Sequence, residues 1–165
     1  MLDALNKIKA YCDYLEEHYM NVQKAWKIVE STCADLNFIA DDSIYFLLKS
    51  EIEAHDQSKL SSEEFIPYAK NFCPGNGFRA ENKEEFTRAW DHHKEHNPHH
   101  WQHWTKLLNQ KDQERQCVHM VVDWMAMGIK FQDNAQDYYE KNKKTIDIPE
   151  WAEKLCYQMF ERVYK

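Results

Sequence analysis

The chain has 165 residues, a formal net charge of −7, 14% aromatic side chains, three glycines and four prolines. This composition supplies a buried core and excludes both a disordered chain and a turn-rich all-β fold. The acidic charge also excludes broad binding to the phosphate backbone of nucleic acids.

Apolar side chains at helical spacing predict an all-α chain of about seven helices, with no strand pattern. Asp41 or Asp42 caps the second helix, and Ser61 followed by Glu64 has the pattern of a capping box that begins the third. The segment CPGNG at 73–77 is the clearest loop. The predicted helices cover residues 3–31, the segment from Asp42 to about Ile52, 61–72, the segment from Asn82 to Leu107 that Pro98 interrupts, 112–131, 135–141 and 149–165.

Neither a membrane segment nor a secretion signal is visible in the sequence. No apolar run approaches the roughly 18 residues that a membrane-spanning helix needs, and MLDALNKIKAY at the N-terminus lacks the apolar core of a signal peptide. The five cysteines are scattered without a CxxC pair, which indicates reduced thiols rather than disulfides or a cysteine-based zinc site. We therefore expect a cytoplasmic protein without membrane contact.

Two helices carry metal-binding residue types on or beside their apolar faces. His18 shares a face of the first helix with Leu15 and Val22, so its imidazole is expected to point inward. His55 and Asp56 follow the apolar stripe of the second helix, where both side chains can enter one pocket. Structural explanations stay open for both: a histidine satisfied within the core, and a histidine favoured by the helix dipole beside a turn aspartate.

A third candidate ligand, Asp123, lies in the most apolar stretch of the chain, CVHMVVDWMAM. Burying an unpaired carboxylate is costly, so this side chain needs a cation or strong hydrogen-bond donors nearby. The alternative is an aspartate at the edge of the helix stripe, paired with a lysine or with a tryptophan N–H.

The order of these residues, His18, then His55–Asp56, then Asp123, resembles the HD superfamily of metal-dependent phosphohydrolases, at spacings typical of small HD nucleotidases. The motifs HDQSK, HNPHHWQHW and VVDWMAM also resemble a family of small, largely uncharacterised phage and bacterial HD-like proteins. The resemblance implies one HD-like helical domain over residues 1–165, in the cytoplasm of a bacterium or of a phage-infected cell.

The histidine-rich segment HHKEHNPHHWQHW at 92–104 lies where HD proteins with two metal ions carry additional histidines. Helical phase predicts that His93 and His100 point inward, with His96 in reserve, whereas His92 is solvated and His99 falls to the side. The alternative is a wet, histidine-rich surface turn.

The resemblance therefore implies a centre of two divalent transition-metal ions. Asp56 is the natural bridge, because a carboxylate has two oxygens, and the donor set suits Fe, Mn, Zn or Co. Glu51 or Asp91 is expected to orient an imidazole. The predicted ligands are His18, His55, Asp56, His93, His100 and Asp123.

Lys59, in HDQSK, occupies the place where many two-metal HD proteins carry a lysine that binds an anionic group of the substrate. Small one-metal HD nucleotidases tend to have a glutamate there instead. The leading hypothesis is a phosphohydrolase acting on a nucleotide or a related small phosphoester, with Asp56 and Lys59 as catalytic residues and water activated by the metals as nucleophile. The alternatives are an HD-type di-iron oxygenase, and a phage or bacterial interaction protein with a structural metal site. The sequence leaves the oligomeric state open.

Overall fold

The computed structural model describes residues 2–73, 83–107 and 109–165, and within these ranges the chain forms helices and no strand. The prediction of an all-α fold is therefore confirmed. The helices are α1 (Leu2–Thr32), α2 (Asn37–Ala40), α3 (Asp42–Glu53), a 3₁₀ helix (Gln57–Leu60), α4 (Phe65–Phe72), α5 (Lys83–His96), α6 (Trp101–Trp104), α7 (Gln110–Phe131), α8 (Ala135–Asn142) and α9 (Glu150–Val163).

The caps explain where several of these helices begin. The side chain of Asp41 accepts a hydrogen bond from the backbone N–H of Ser43 at 2.9 Å and so begins α3, as predicted. The capping box at Ser61 is wrong: α4 begins only at Phe65, and no side-chain cap holds its first turn. The carboxylate of Glu64 is engaged instead by two histidines of α5.

Other boundaries differ slightly from the prediction. α6 ends at Trp104 rather than at Leu107, and Pro149 precedes α9 as its N-terminal cap rather than forming its first residue. The helix predicted to begin at Asn82 is described from Lys83 onward. Residues 74–77 of the predicted loop and Asn82 lie outside the described residues.

The chain divides into two compact units, Met1–Glu17 with Asp56–Asn97 (unit 1) and His18–His55 with Pro98–Lys165 (unit 2). Unit 1 has an aromatic core in which Tyr11 and Tyr68 are buried. The ring of Tyr11 meets Phe65 edge-on at 5.2 Å between centroids, and that of Tyr68 meets Phe86 in the same way at 5.2 Å. The single domain expected over residues 1–165 stays a prediction.

Unit 2 is built around α7, whose buried positions run almost without interruption from Gln116 to Gly128. α7 packs on α3, α6, α8 and α9, so its side chains are enclosed from several directions. Gly128 is required by close packing, because a Cβ there would lie 2.7 Å from the carbonyl oxygen of Asp133. Neither α7 nor any other described helix combines the length and apolarity needed to cross a membrane.

The turn after α3 is one of two places where a described residue other than glycine has a positive φ, the other being Gln132 at the end of α7. Asp56 has a left-handed conformation, with φ 58° and ψ 23°, which is uncommon outside glycine and tolerated best by Asn and Asp. The following 3₁₀ helix carries Lys59, whose N–H donates to the carbonyl oxygen of Asp56 at 2.9 Å. Such strain concentrates at functional sites, which directs attention to His55 and Asp56 on either side of this turn.

Candidate metal centre

In unit 2, three separate segments bring His18, His55 and Asp123 together. His18 lies on the inward face of α1, His55 follows α3, and Asp123 lies in α7. Nε2 of His18 is 3.0 Å from Nε2 of His55. Oδ1 of Asp123 is 3.2 Å from the first of these nitrogens and 3.5 Å from the second. Three residues predicted as ligands are thus neighbours in the fold.

Hydrogen bonding alone satisfies these three atoms poorly. If both nitrogens carry protons directed at the Asp123 oxygen, two N–H groups confront each other at 3.0 Å. If only one nitrogen carries such a proton, the other directs its lone pair at the negatively charged carboxylate, which is repulsive. A shared cation removes the conflict, and donor atoms around one ion lie about 3.0–3.4 Å apart when their bonds to it are about 2.1 Å long. The observed distances therefore fit one transition-metal ion.

Two further histidines extend this group. Nδ1 of His55 lies 3.0 Å from Nε2 of His119. The ring of His99 stacks on that of His55 with centroids 4.6 Å apart, and lies tilted against that of His119 at 4.5 Å. One nitrogen from each of these three residues lies within 4.8 Å of the others, a spacing that can hold a metal ion. We call His18, His55, His99, His119 and Asp123 the histidine cluster. The coarse prediction of a buried His/Asp group with metal-binding geometry is confirmed.

His119 and His99 were not predicted as ligands, for different reasons. His119 lies four residues before Asp123 in α7, so a search for ligand pairs on one helix face would have found it. His99 is only 2% exposed, although helical phase predicted it to fall to the side. That prediction is wrong because α6 begins at Trp101, so residue 99 has no helical phase. His100, a predicted ligand, caps α6 and lies with its ring 4.4 Å from that of His99.

Asp123 is charged in this environment. Burial acts to raise its pKa, but hydrogen bonds from His18 and His55 outweigh burial and hold the pKa of Asp123 well below its usual range. Its side chain remains 17% exposed, so the carboxylate lies at the edge of the core rather than deep within it. An ionised carboxylate facing imidazole nitrogens is a donor set that transition metals bind well.

Unit 1 holds the other predicted residues, Asp56, Lys59 and His93. Nζ of Lys59 lies 2.6 Å from Oδ2 of Asp56, while Nε2 of His93 lies 3.3 Å from Oδ1 of the same carboxylate. Lys59 is only 8% exposed, unlike an ordinary solvated lysine. The two oxygens of Asp56 thus face a cation on one side and an imidazole on the other.

Glu64 completes this group, which we call the carboxylate cluster: Asp56, Lys59, Glu64 and His93. Glu64 is fully buried, and its Oε2 lies 2.8 Å from Nδ1 of His93, while Oε1 lies 2.7 Å from Nδ1 of His92. The amide of Asn97 donates to the carbonyl oxygen of His93 at 2.8 Å. Because Glu64 accepts the Nδ1 proton, Nε2 of His93 is directed at Asp56, as in a metal-bound imidazole with its orienting carboxylate.

Charge pairing sets the protonation of Glu64. Burial acts to raise its pKa, but hydrogen bonds from His93, Ser58 and His92 outweigh burial and lower the pKa below its ordinary value. Glu64 is therefore a buried anion that at least two imidazoles stabilise.

The expected orienting residues were wrong. Glu51 accepts hydrogen bonds from Arg115 and from Gln116, each at 2.8 Å, and Asp91 pairs with Lys94 at 2.8 Å. Neither set of contacts involves a predicted ligand. Glu64 takes the role in unit 1, although the sequence pattern assigned it to a capping box.

The chain belongs to a family of unknown function, DUF5662, whose model matches residues 7–164. No curated protein and no solved structure matches the chain.

Proposed function

We propose that this family member is a metal-dependent phosphohydrolase that acts on a nucleotide or on a related small phosphoester. One observation carries the proposal: the Nε2 atoms of His18 and His55 and an oxygen of Asp123 lie within 3.5 Å of one another in unit 2. This donor set suits Fe, Mn, Zn or Co. The resemblance of the His, His-Asp, Asp order to the HD superfamily supports the same reaction class.

The two clusters divide the metal-binding work in this proposal. His18, His55 and Asp123 would hold one ion, and Asp56 with His93 would contribute to a second. A bound divalent ion supplies a Lewis acid for phosphoryl oxygens and lowers the pKa of water. The ligand role of His100 and the bridging role of Asp56 stay predictions from the sequence.

The residues of unit 1 position the reacting groups. Glu64 holds the Nδ1 proton of His93 and so keeps Nε2 directed at the carboxylate of Asp56. Nζ of Lys59 lies 2.6 Å from Oδ2 of Asp56, so its ammonium stands beside this carboxylate. We assign Lys59 to binding an anionic oxygen of the substrate, where its charge also stabilises the charge that develops during phosphoryl transfer.

Metal analysis and a substrate panel test the proposal together. The full chain is purified without oxygen or chelator, its metal content is measured, and phosphate release is followed with a panel of nucleotides. We expect at least about one transition-metal ion per chain. Asp123→Asn keeps the shape of the side chain but removes its charge, and should lower metal affinity more than about 100-fold and abolish phosphate release. Asp13→Asn, on the exposed face of α1, is the matched control.

Wild-type protein without stoichiometric transition metal contradicts the proposal. Tightly bound metal combined with no phosphate release from any nucleotide or simple phosphoester contradicts the reaction class alone. In that case a metal that only raises the midpoint of thermal unfolding supports the interaction-protein hypothesis.

A second candidate is an oxygenase that uses two iron ions. The donor set of the histidine cluster favours it, because four imidazoles accompany one carboxylate, and imidazole is a suitable ligand for iron. Oxygen uptake by iron-loaded protein, measured beside phosphate release from zinc- or manganese-loaded protein, separates the two reactions.

A further inference from the structure

Two tyrosine hydroxyl groups in unit 1 are buried without a hydrogen-bond partner among the described residues. Tyr11 is 0% exposed and Tyr68 is 3% exposed. Buried hydroxyl groups nearly always have a partner, so a pair of unpartnered ones in one small core calls for an explanation. Neither group belongs to the clusters described above.

Aromatic packing fixes both rings. Tyr11 meets Phe65 edge-on and stacks parallel to Tyr14, with centroids at 5.2 Å and 6.1 Å. Tyr68 meets Phe86 edge-on at 5.2 Å. Because the rings cannot swing away without breaking these contacts, the positions of the two hydroxyl groups are set in advance of any ligand.

Both hydroxyl groups lie near the carboxylate cluster. Burial first, and then the negative charges of Asp56 and Glu64, raise the pKa of Tyr11 and of Tyr68, so both are protonated donors. The ammonium of Lys59 lies 5.7 Å from the centroid of the Tyr68 ring. The Tyr68 ring also lies 5.6 Å from that of His93, so the two phenols and the ammonium belong to the surroundings of the same two carboxylates.

We propose that Tyr11, Tyr68 and Lys59 form the subsite that binds the non-bridging oxygens of the substrate's phosphoryl group. This inference rests on the proposed function and names the part of the chain that selects its substrate class. Ionised phosphoryl oxygens are strong hydrogen-bond acceptors, which matches three donors.

The charges of unit 1 determine when this subsite binds an anion. Lys59 is balanced by Asp56, and Glu64 adds a negative charge that His92 and His93 offset. Without added positive charge the surroundings therefore attract phosphate weakly. Divalent ions at Asp56 and His93 supply that charge, so phosphate binding should depend on metal.

Calorimetric titration of the full chain with inorganic phosphate tests the inference. The variants are Tyr11→Phe, Tyr68→Phe and their double variant, each measured with added Zn²⁺ or Mn²⁺ and again with chelator. Tyr19→Phe, which removes an exposed hydroxyl group further along α1, is the matched control. Metal content is determined on every sample.

We expect the metal-loaded wild type to bind phosphate, and each single variant to bind it about tenfold more weakly, because each loses one hydrogen bond to an anion. The double variant should lose about a hundredfold if the two bonds are independent. Tyr19→Phe should match the wild type. All variants should keep the thermal unfolding midpoint of the wild type in the absence of phosphate, because the phenyl ring preserves the packing.

Two results overturn the inference in distinguishable ways. Metal-loaded variants that bind phosphate as tightly as the wild type show that the hydroxyl groups do not contact the phosphate, and the proposed function survives. A chain that takes up no metal removes the proposed function and this subsite together. A hydroxyl-dependent loss of phosphate affinity confined to the metal-loaded protein supports both.

Discussion

The two clusters accommodate buried polar side chains in opposite ways. In the carboxylate cluster of unit 1, each carboxylate faces a hydrogen-bond donor: Lys59 pairs with Asp56, and His93 with Glu64. In the histidine cluster of unit 2, like donors face one another: imidazole nitrogens of His18 and His55 lie 3.0 Å apart. In the first arrangement the chain supplies partners for the carboxylates, whereas the second has the spacing of a site that can bind a cation.

This difference gives the carboxylate cluster a larger part in folding stability and the histidine cluster a larger part in metal affinity, although Asp56 and His93 are also proposed to bind metal. Pairs of opposite charge rigidify a site and fix the orientation of a histidine, but they also cost desolvation free energy, which the pairing must offset. Clustered neutral imidazoles repel little when empty and bind a transition metal when deprotonated. Removing one member from each cluster should therefore have different consequences, in folding stability for unit 1 and in metal affinity for unit 2.

The largest effect on stability is expected for Glu64→Gln. The amide cannot accept from both His92 and His93 as an anion does, so the free energy of unfolding should fall by about 3 kcal/mol. Urea unfolding followed by circular dichroism measures the loss. Glu85→Gln is the control in the same unit, since the Glu85–Lys70 pair is about 29% exposed and worth less than about 1 kcal/mol. Equal effects of the two substitutions would remove the contrast between the clusters.

A smaller effect on stability is expected from the ionisation of Tyr139, a buried phenol of unit 2 outside the histidine cluster. It is 2% exposed, and burial first, then the charge of Glu153, raises the pKa of Tyr139 to about 12 from its ordinary 10.0. Because the folded-state pKa is the higher one, its contribution to stability is complete below pH 10 and disappears as the pH rises towards 12. The free energy of unfolding should fall by about 2–3 kcal/mol over this range.

Tyr139→Phe isolates this contribution from those of the other tyrosines. The difference in unfolding free energy between the variant and the wild type, measured by urea unfolding from about pH 9 to about pH 12, should grow with pH. It should be the same with metal and with chelator, because Tyr139 packs on Trp124 and Tyr157 rather than on a histidine. A metal-dependent difference would mean that the unit 2 core and the histidine cluster are coupled.

The sequence could predict residues whose role follows a period or a local motif. His18 lies on an apolar helix stripe, and Asp123 interrupts an apolar run, so both stood out before the fold was known. Glu64 could not be found this way. Its local pattern indicates a capping box, whereas its hydrogen-bond partners lie 28 and 29 residues away and are reached only through the packing of α4 on α5.

His99 shows a second limit of sequence analysis. It lies between Pro98 and the first residue of α6, so its direction is set by the chain reversal and not by helical phase. The helix bounds were predicted to within a few residues, but that accuracy was too low here. Residues 99 and 100 precede α6, so helical phase does not determine which of the two histidines points inward.

The smallest effect, on zinc affinity, is expected from substitutions of His99 and His100. It tests directly whether helical phase identifies the ligand. His99 stacks on His55 and lies tilted against His119, so His99→Gln should lower zinc affinity by about tenfold, as loss of a supporting or coordinating imidazole does. His96→Gln, at an exposed position of α5, should leave affinity unchanged. Competition with a chromophoric chelator measures the zinc affinity of these two variants and of His100→Gln. If His100→Gln weakens zinc binding more than His99→Gln does, helical phase identified the ligand correctly. The stacked ring of His99 would then contribute to packing rather than to metal coordination.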